Sequence, residues 1–130
     1  MLEPSLLPGE AEISVAGFPR QHQQPAADAD VTHVLHRDFE SRSKVDLNKV
    51  GAHKYAAHPT TECLCAAYAV DNEPVRLWLP RDPVPPVWFE AAHNPNWRAA
   101  AHNDAFETAI EQYILAPRFG FPLIPIERHH

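Results

Sequence analysis

Two acidic residues on one predicted strand are the first feature that could carry chemistry. Asp38 and Glu40 follow the β-branched and apolar run from Val31 to His36, which predicts a central strand. Side chains two residues apart on a strand project from the same face, so both carboxylates are expected together at its carboxyl end. Because hard divalent cations prefer oxygen ligands, the pair predicts a Mg²⁺ site. A solvated strand end would give the same pattern, and for an isolated Asp-x-Glu it is the more frequent explanation.

A third carboxylate follows a second predicted strand. Residues 97–103 have an apolar middle and predict a short buried strand, and a helix is expected to begin directly after it. Asn103 is a favourable N-cap for this helix, Phe106 is expected to face the core, and Glu107 lies in the first turn. If the two strands are neighbours, Glu107 can reach over the edge of the sheet toward Asp38. The alternative is that Asn103 caps the helix and Glu107 complements the positive helix end.

The elements that must position these carboxylates follow an α/β pattern. An apolar run that is broken at Asp71 and Asn72, and then resumes with apolar and polar alternation, predicts a β-hairpin. The last helix is predicted to end at Pro117 and Gly120. Three consecutive antiparallel strands, a short helix, a strand and a longer helix predict a mixed sheet with helices packed on it. The predicted elements are a strand at 31–36, a turn or single helical turn at 46–51, hairpin strands at 62–70 and 74–80, a helix at 87–93, a strand at 97–103, a helix at 104–115 and an extended segment at 121–126.

Composition limits the domain count and the location of the protein. The chain has 130 residues and a net charge of −6, which fits one domain and argues against bulk coating of nucleic acid. Residues 1–30 hold five acidic residues, one arginine and four prolines, and this composition predicts a disordered or loosely attached tail, with a short strand at 12–15 left open. The folded domain is then expected at 31–130. No apolar run approaches the ~20 residues of a membrane span, the first four residues are unlike a secretory signal, and two cysteines are typical of the cytoplasm.

Two separated motifs resemble a known family of nucleases. The run at 38–62, which reads DFESRSKVDLNKVGAHKYAAHPTTE, is similar to the start of the 3′→5′ exonuclease domain of phage-type family A DNA polymerases. The run at 101–107, which reads AHNDAFE, resembles the second motif of that family. The similarity extends over about 34–128, and the motifs and the connecting hairpin occur in the expected order. The resemblance implies a DEDD (DnaQ-like) exonuclease with a ribonuclease-H-like α/β fold, of bacterial or phage origin.

The resemblance implies hydrolysis of a terminal phosphodiester with two metal ions. Four acidic residues of the family hold two Mg²⁺ or Mn²⁺ ions, of which one activates water and the other stabilises the leaving 3′ oxygen. Asp38 and Glu40 match the first motif as catalytic metal ligands, and Glu40 would also orient the attacking water. Glu107 matches the metal-binding acid of the second motif, where aspartate is usual and glutamate is familiar in the phage-type branch. The implied substrate is the 3′ end of single-stranded DNA. Its expected contacts are Phe39, His102, Asn103 and Phe106.

The third motif of the family has no match in this chain. It consists of a Tyr or His followed four or five residues later by the fourth metal-binding Asp, and no Tyr or His after Glu107 has an Asp at that spacing. The resemblance thus covers the amino-terminal part of an exonuclease domain, as a split, truncated or frameshifted gene would encode. We expect weak or no activity from the chain alone, and a polymerase or a complementary fragment as a partner. The alternative is a non-catalytic remnant that binds nucleic acid or a partner chain completing the site.

Several other residues have both a functional and a structural explanation. Cys63 and Cys65 are expected to project both thiols to one face of a strand and could bind zinc with histidines, but burial in their apolar run is the favoured explanation. The three tryptophans could stack on bases, yet each lies in an apolar run and is expected in the core. His102 could touch a phosphate, although packing is the more frequent role. Basic residues that could contact phosphates, or simply lie on a solvated loop, are Arg37, Arg42, Lys44, Lys49 and Lys54.

Overall fold

A four-stranded mixed sheet organises the described part of the chain, which in this computed structural model is residues 30–130. The predicted tail, except for Asp30, and the short strand left open at 12–15 lie outside the described residues. The strands are β1 (His33–Arg42), β2 (Glu62–Val70), β3 (Arg76–Trp78) and β4 (Trp97–Ala100). The helices are α1 (Leu47–Ala57), α2 (Pro86–His93), α3 (Asp104–Ile110) and α4 (Ala116–Phe119), with a π-helical segment at Glu111–Leu115 and a 3-10 turn at Ile126–Arg128.

The strand order is β3-β2-β1-β4, with β1 in the interior of the sheet. β1 pairs antiparallel with β2, β2 pairs antiparallel with β3, and β4 joins the other side of β1 in a parallel ladder. A parallel neighbour requires a crossover connection, which α2 supplies. The predicted α/β class and mixed sheet are confirmed, and so is the antiparallel pairing of the first three strands. These strands are not consecutive as predicted, because α1 lies between β1 and β2, and β3 and β4 are shorter than predicted.

Burial alternates along β1 and separates its two faces. Leu35 and Phe39 are buried on the face that packs against the helices, whereas Asp38 and Glu40 are exposed on the opposite face. The alternation follows from the two-residue period of a strand. The helix-covered face holds the core, and it includes all three tryptophans, as their apolar runs predict. The largest fully buried side chains are Trp78, Trp88, Leu35, Ile110, Ile114, Leu115 and Thr61.

The first strand is longer than its sequence pattern predicts. β1 continues beyond His36 to Arg42 and pairs with β2 over that whole extension, as far as the Arg42–Glu62 pair. The acidic pair therefore lies within a paired strand and not beyond its end. The extension escaped prediction because acidic side chains interrupt the apolar run, although they occupy only the exposed positions of the alternation.

The first helix passes through the residue at which it was predicted to stop. Asp46 caps α1 by accepting a hydrogen bond from the backbone N–H of Asn48, 2.9 Å away. Gly51 then leaves the helical conformation, with φ 83° and ψ 167°, and a second helical stretch continues to Ala57. The prediction of a turn or single helical turn at 46–51 was thus correct in placing a break at Gly51, but wrong in ending the helix there. Only Tyr55 and Ala56 are buried in α1, so its apolar periodicity is weak.

The last helix is also longer than predicted. α3 ends at Ile110, but helical backbone continues through the π-helical segment and α4 to Phe119. Pro117 was wrongly predicted to end the helix, since it lies in the first turn of α4, where the missing N–H is tolerated. Gly120 does end it, in the left-handed conformation with φ 80°.

The outer edge of β4 is bridged by the last residues of the chain. Ala99 forms a parallel bridge with His129, and the backbone N–H of His130 donates to the carbonyl of Ala99 at 2.8 Å. Arg128 fixes this segment by donating from its guanidinium to the carbonyls of Ala91, Ala92 and Asn94 at the end of α2. Within residues 30–130, the helices are too short or too polar to cross a membrane.

Candidate active site

The two predicted acidic motifs become neighbours where β1 extends beyond the end of β4. The last pair of the parallel ladder joins His36 to Ala100, and Asp38 and Glu40 lie further along β1. The chain leaves β4 and enters α3 within a few residues, so that α3 begins beside the uncovered part of β1. This topology places the second motif next to the first.

Glu107 reaches the backbone of β1 between the two exposed acids. Its Oε2 accepts a hydrogen bond from the backbone N–H of Phe39 at 3.2 Å, and the residue is only 3% exposed. The expectation that Glu107 approaches β1 rested on β1 and β4 being neighbours, and the sheet order confirms that they are. Glu107 therefore does more than complement a helix end, because it satisfies a main-chain donor of the adjacent strand.

Electrostatics couple Glu107 to Asp38. Burial raises the pKa of the Glu107 carboxyl above its ordinary value, the nearby charge of Asp38 raises it further, and the hydrogen bond from Phe39 opposes the change. Asp38 and Glu40 remain exposed, opposite Ala67 and Cys65 of β2. The site thus combines one buried carboxyl that is biased toward its neutral form with two accessible carboxylates.

The donor chemistry of these residues fits Mg²⁺ or Mn²⁺, which prefer carboxylate oxygens. Within residues 30–130, however, no three His, Cys, Asp or Glu side chains are arranged closely enough to hold a metal ion. One oxygen of the Glu107 carboxylate is engaged by the Phe39 N–H. The arrangement is therefore a set of suitable ligands that is not preformed as a three-ligand centre.

The residues of the second motif surround the start of α3. Asn103 caps the helix as predicted, with its side-chain oxygen accepting from the backbone N–H of Phe106 at 3.4 Å. His102 is exposed, and Phe106 is half-buried with its ring centroid 6.0 Å from that of Tyr55. Phe39 is different, because its side chain is buried and stacks on Trp88 with ring centroids 6.3 Å apart. The Phe39 side chain therefore belongs to the core and does not face the predicted substrate.

An open groove runs over the exposed face of the sheet beside Asp38. Its volume is about 420 Å³, and its floor consists largely of alanine side chains from β2 and β4. Small side chains on a flat sheet let a ligand approach the backbone closely, while imidazole and carboxylate groups at the rim supply polar contacts. Residues that line the groove include His36, Asp38, Ala67, Ala69, Ala100 and His102.

A buried ionic cluster under the site was missed from the sequence. Arg37 was considered a residue that could contact phosphates, but its side chain is fully buried and pairs with Glu111 and Asp104. Burial opposes the charged form of Arg37, yet both ion pairs outweigh it and raise the pKa of the guanidinium. The same parity that exposes Asp38 turns Arg37 toward the helices. The two-residue alternation of a strand would have predicted that Arg37 is buried if the predicted β1 had extended as far as Arg37.

The other basic residues remain at the surface. Arg42 is exposed and pairs with Glu62 across the β1–β2 ladder, with Nη2 3.2 Å from Oε1. Lys44, Lys49 and Lys54 are exposed near and within α1, so both the phosphate-contact and the solvated-loop interpretations stay open for them.

The two cysteines do not share an environment. A register shift pairs Cys65 with Glu40 and Cys63 with Ser41, so Cys63 is buried while Cys65 is half-buried. The expectation that both thiols project to one face was wrong, because that shift interrupts the alternation between them. Burial raises the pKa of Cys63 to about 12, which keeps its thiol protonated and unreactive.

Comparison with protein-family models, with curated proteins and with solved structures gives no match to this chain.

Proposed function

We propose that this chain is a 3′→5′ exonuclease domain of the DNA polymerase proofreading type, built on a ribonuclease-H-like sheet. The two motifs that resemble this family lie 63 residues apart between Asp38 and Ala101, and the fold brings them to one edge of β1. The mixed sheet with β4 parallel to β1 supports the same assignment. The proposal concerns a domain that hydrolyses terminal phosphodiesters of single-stranded nucleic acid.

The contact between Glu107 and Phe39 is the observation that carries the proposal. Phe39 lies between the two acids of the first motif, and Glu107 is the acid of the second motif, so this single hydrogen bond joins both motifs. The coupling of the Glu107 pKa to the charge of Asp38 supports the same conclusion independently of the hydrogen bond.

Each residue of the site has a specific role in this proposal. Asp38 and Glu40 are the accessible ligands for Mg²⁺ or Mn²⁺, and Glu107 would complete the set with the carboxylate oxygen that does not accept from the Phe39 N–H. A bound divalent cation would supply an activated water and stabilise charge on the leaving oxygen. Asn103 holds the start of α3 in place, and His102 and His36 lie at the groove where the 3′-terminal nucleotide would bind. We expect weak or no activity from the chain alone, because the third motif has no match and the carboxylates are not preformed as a three-ligand centre within residues 30–130.

Digestion of end-labelled single-stranded DNA tests the proposal. We expect slow shortening from the 3′ end in Mg²⁺ or Mn²⁺ that is lost in Asp38→Asn. The matched control is Glu90→Gln, an exposed acid on α2 that is remote from the groove lining. Activity that survives in Asp38→Asn, or shortening from the 5′ end, would contradict the proposal.

A second candidate function is binding without catalysis, to nucleic acid or to a partner chain that completes the site. The open groove and the absence, within residues 30–130, of a three-ligand centre favour it. Fluorescence anisotropy with labelled single-stranded DNA in EDTA distinguishes the two. Binding that is equal in the native chain and in Asp38→Asn, together with no shortening in Mn²⁺, would support the second candidate over the first.

A further inference from the structure

Arg37 lies directly beside the candidate site but on the opposite face of its strand. It precedes Asp38 on β1, and the two-residue alternation sends its side chain into the layer between the sheet and α3. The side chain is 0% exposed. A fully buried guanidinium is retained only where its donors are paired, so its partners show what it holds in place.

Both acidic partners of Arg37 come from the helical segment that also carries Glu107, and its Nη2 also lies 3.4 Å from Nδ1 of His129. Nε and Nη2 donate to the two carboxylate oxygens of Glu111 at 2.8 Å and 3.0 Å, in a bidentate arrangement. Nη1 lies 2.9 Å from Oδ1 of Asp104. The two groups form an ion pair, but the angle at the N–H is not that of a hydrogen bond. Asp104 and Glu111 thus flank Glu107 along the chain, three residues before it and four residues after it.

Both acceptors are themselves fixed by other buried groups. Oε2 of Glu111 also accepts from the indole N–H of Trp88 at 3.4 Å. The imidazole Nδ1 of His129 lies 2.8 Å from Asp104, and its Nε2 lies 3.0 Å from the carbonyl of Ile124. Glu111 begins the π-helical segment, and a local widening of this kind commonly occurs at functional positions of helices.

We propose that Arg37 is a positioning residue for the candidate site, because its pairs with Asp104 and Glu111 fix α3 against β1 and so hold Glu107 at the Phe39 N–H. The inference rests on the proposed function only in its consequence for metal binding. The bidentate fork resists both sliding and rotation of the helix along the strand, which one point charge does not do. Asp38 and Glu107 are then kept at a fixed separation although they come from different elements.

Hydrogen exchange in the full chain tests the geometric part of the inference. The variant is Arg37→Lys, which keeps the charge and removes the fork, and the matched control is Arg42→Lys on the same strand, where the ion pair is exposed. We expect the Phe39 amide to lose protection by about tenfold in Arg37→Lys, while the β2 amides keep theirs and Arg42→Lys changes neither. Unchanged protection of Phe39 overturns the inference. Equal loss at Phe39 and throughout β2 also overturns it, because Arg37 would then support the whole fold.

A second variant and a second measurement separate this inference from the proposed function. Glu111→Gln keeps the shape of the partner and removes its charge, and it is expected to expose the Phe39 amide in the same way as Arg37→Lys. Calorimetry with Mn²⁺ is then expected to show affinity that is about fivefold weaker in Arg37→Lys and lost in Asp38→Asn. If Arg37→Lys binds Mn²⁺ as tightly as the native chain does, the positioning role is overturned. No Mn²⁺ binding by the native chain contradicts the proposed function, while the exchange of Phe39 still decides whether Arg37 positions Glu107.

Discussion

The carboxylate of Glu107 accepts a hydrogen bond from the backbone N–H of Phe39, 3.2 Å away and 68 residues earlier in the chain. This contact closes the gap between β1 and α3 at the point where β4 has ended. It makes one side chain serve both the fold and the candidate site. Its two roles can be separated by substitution, because a neutral amide can keep the hydrogen bond without keeping the charge.

Removing the Glu107 side chain is expected to destabilise the protein. Glu107→Ala leaves the Phe39 N–H without its acceptor, and an unpaired buried donor costs about 1–3 kcal/mol. Glu107→Gln is expected to cost less, since the amide oxygen can accept the same bond. Urea unfolding measures both free energies, with Glu127→Ala as an exposed control. Equal losses in the alanine and glutamine variants would show that the hydrogen bond contributes little.

Glu107 is also expected to make stability depend on pH in a defined direction. Burial and then the charge of Asp38 raise the pKa of this carboxyl above its ordinary value of 4.5. A group whose folded-state pKa is raised contributes its full stability below the unfolded pKa and loses it as the pH rises through the folded pKa. The free energy of unfolding of the native chain, minus that of Glu107→Gln, should therefore fall as the pH rises from about 4.5 through the raised pKa of Glu107. A difference that stays constant or rises over that range contradicts the prediction.

Gly51 is expected to tolerate no other residue without cost. Its φ of 83° and ψ of 167° belong to a region that is essentially restricted to glycine, so Gly51→Ala should cost about 1–3 kcal/mol in the free energy of unfolding. Space is not the reason, since an added Cβ would meet no atom within 4 Å. The comparison is Gly120→Asn, because the left-handed conformation at Gly120 accepts asparagine. A smaller loss of unfolding free energy for Gly51→Ala than for Gly120→Asn would contradict this explanation.

The two cysteines are expected to react at different rates. Cys63 is buried with its pKa raised to about 12, whereas Cys65 is half-buried beside Glu40. Iodoacetamide at neutral pH should therefore label Cys65 first and Cys63 only after unfolding. Peptide mass spectrometry assigns the labelled residue. Equal labelling of both thiols in the folded protein would contradict the buried placement of Cys63.

Sequence patterns predicted the order of the elements better than their ends. The hairpin and the helix at 86–93 were predictable because each has a distinct apolar period and a clear turn signal. The extension of β1 was missed because charged residues occupy its exposed positions, and α1 was extended past Gly51 by tertiary packing of Tyr55 and Ala56. Gly51 breaks the helix locally, and the helix continues after Gly51 because its later residues contact the rest of the fold.

The candidate site shows the same limit. The acids at 38, 40 and 107 were predictable from local motifs, and the approach of Glu107 followed once β1 and β4 were assumed to be neighbours. The partners of Arg37 could not be predicted, because Glu111 turns inward through a π-helical segment that has no sequence pattern of its own. Arg37 lies 67 positions before Asp104 and 74 positions before Glu111, so these ion pairs depend on how distant parts of the chain pack together.

The bridge between Ala99 and His129 has a consequence for self-association. A free strand edge is a template on which a second molecule can add a strand, and one edge of this sheet is partly covered by that bridge. The opposite edge, β3, has three residues and lies between Pro74 and Pro80, which lack the N–H that a growing ladder needs. The edges at β3 and β4 therefore present little backbone that could start fibril-like aggregation.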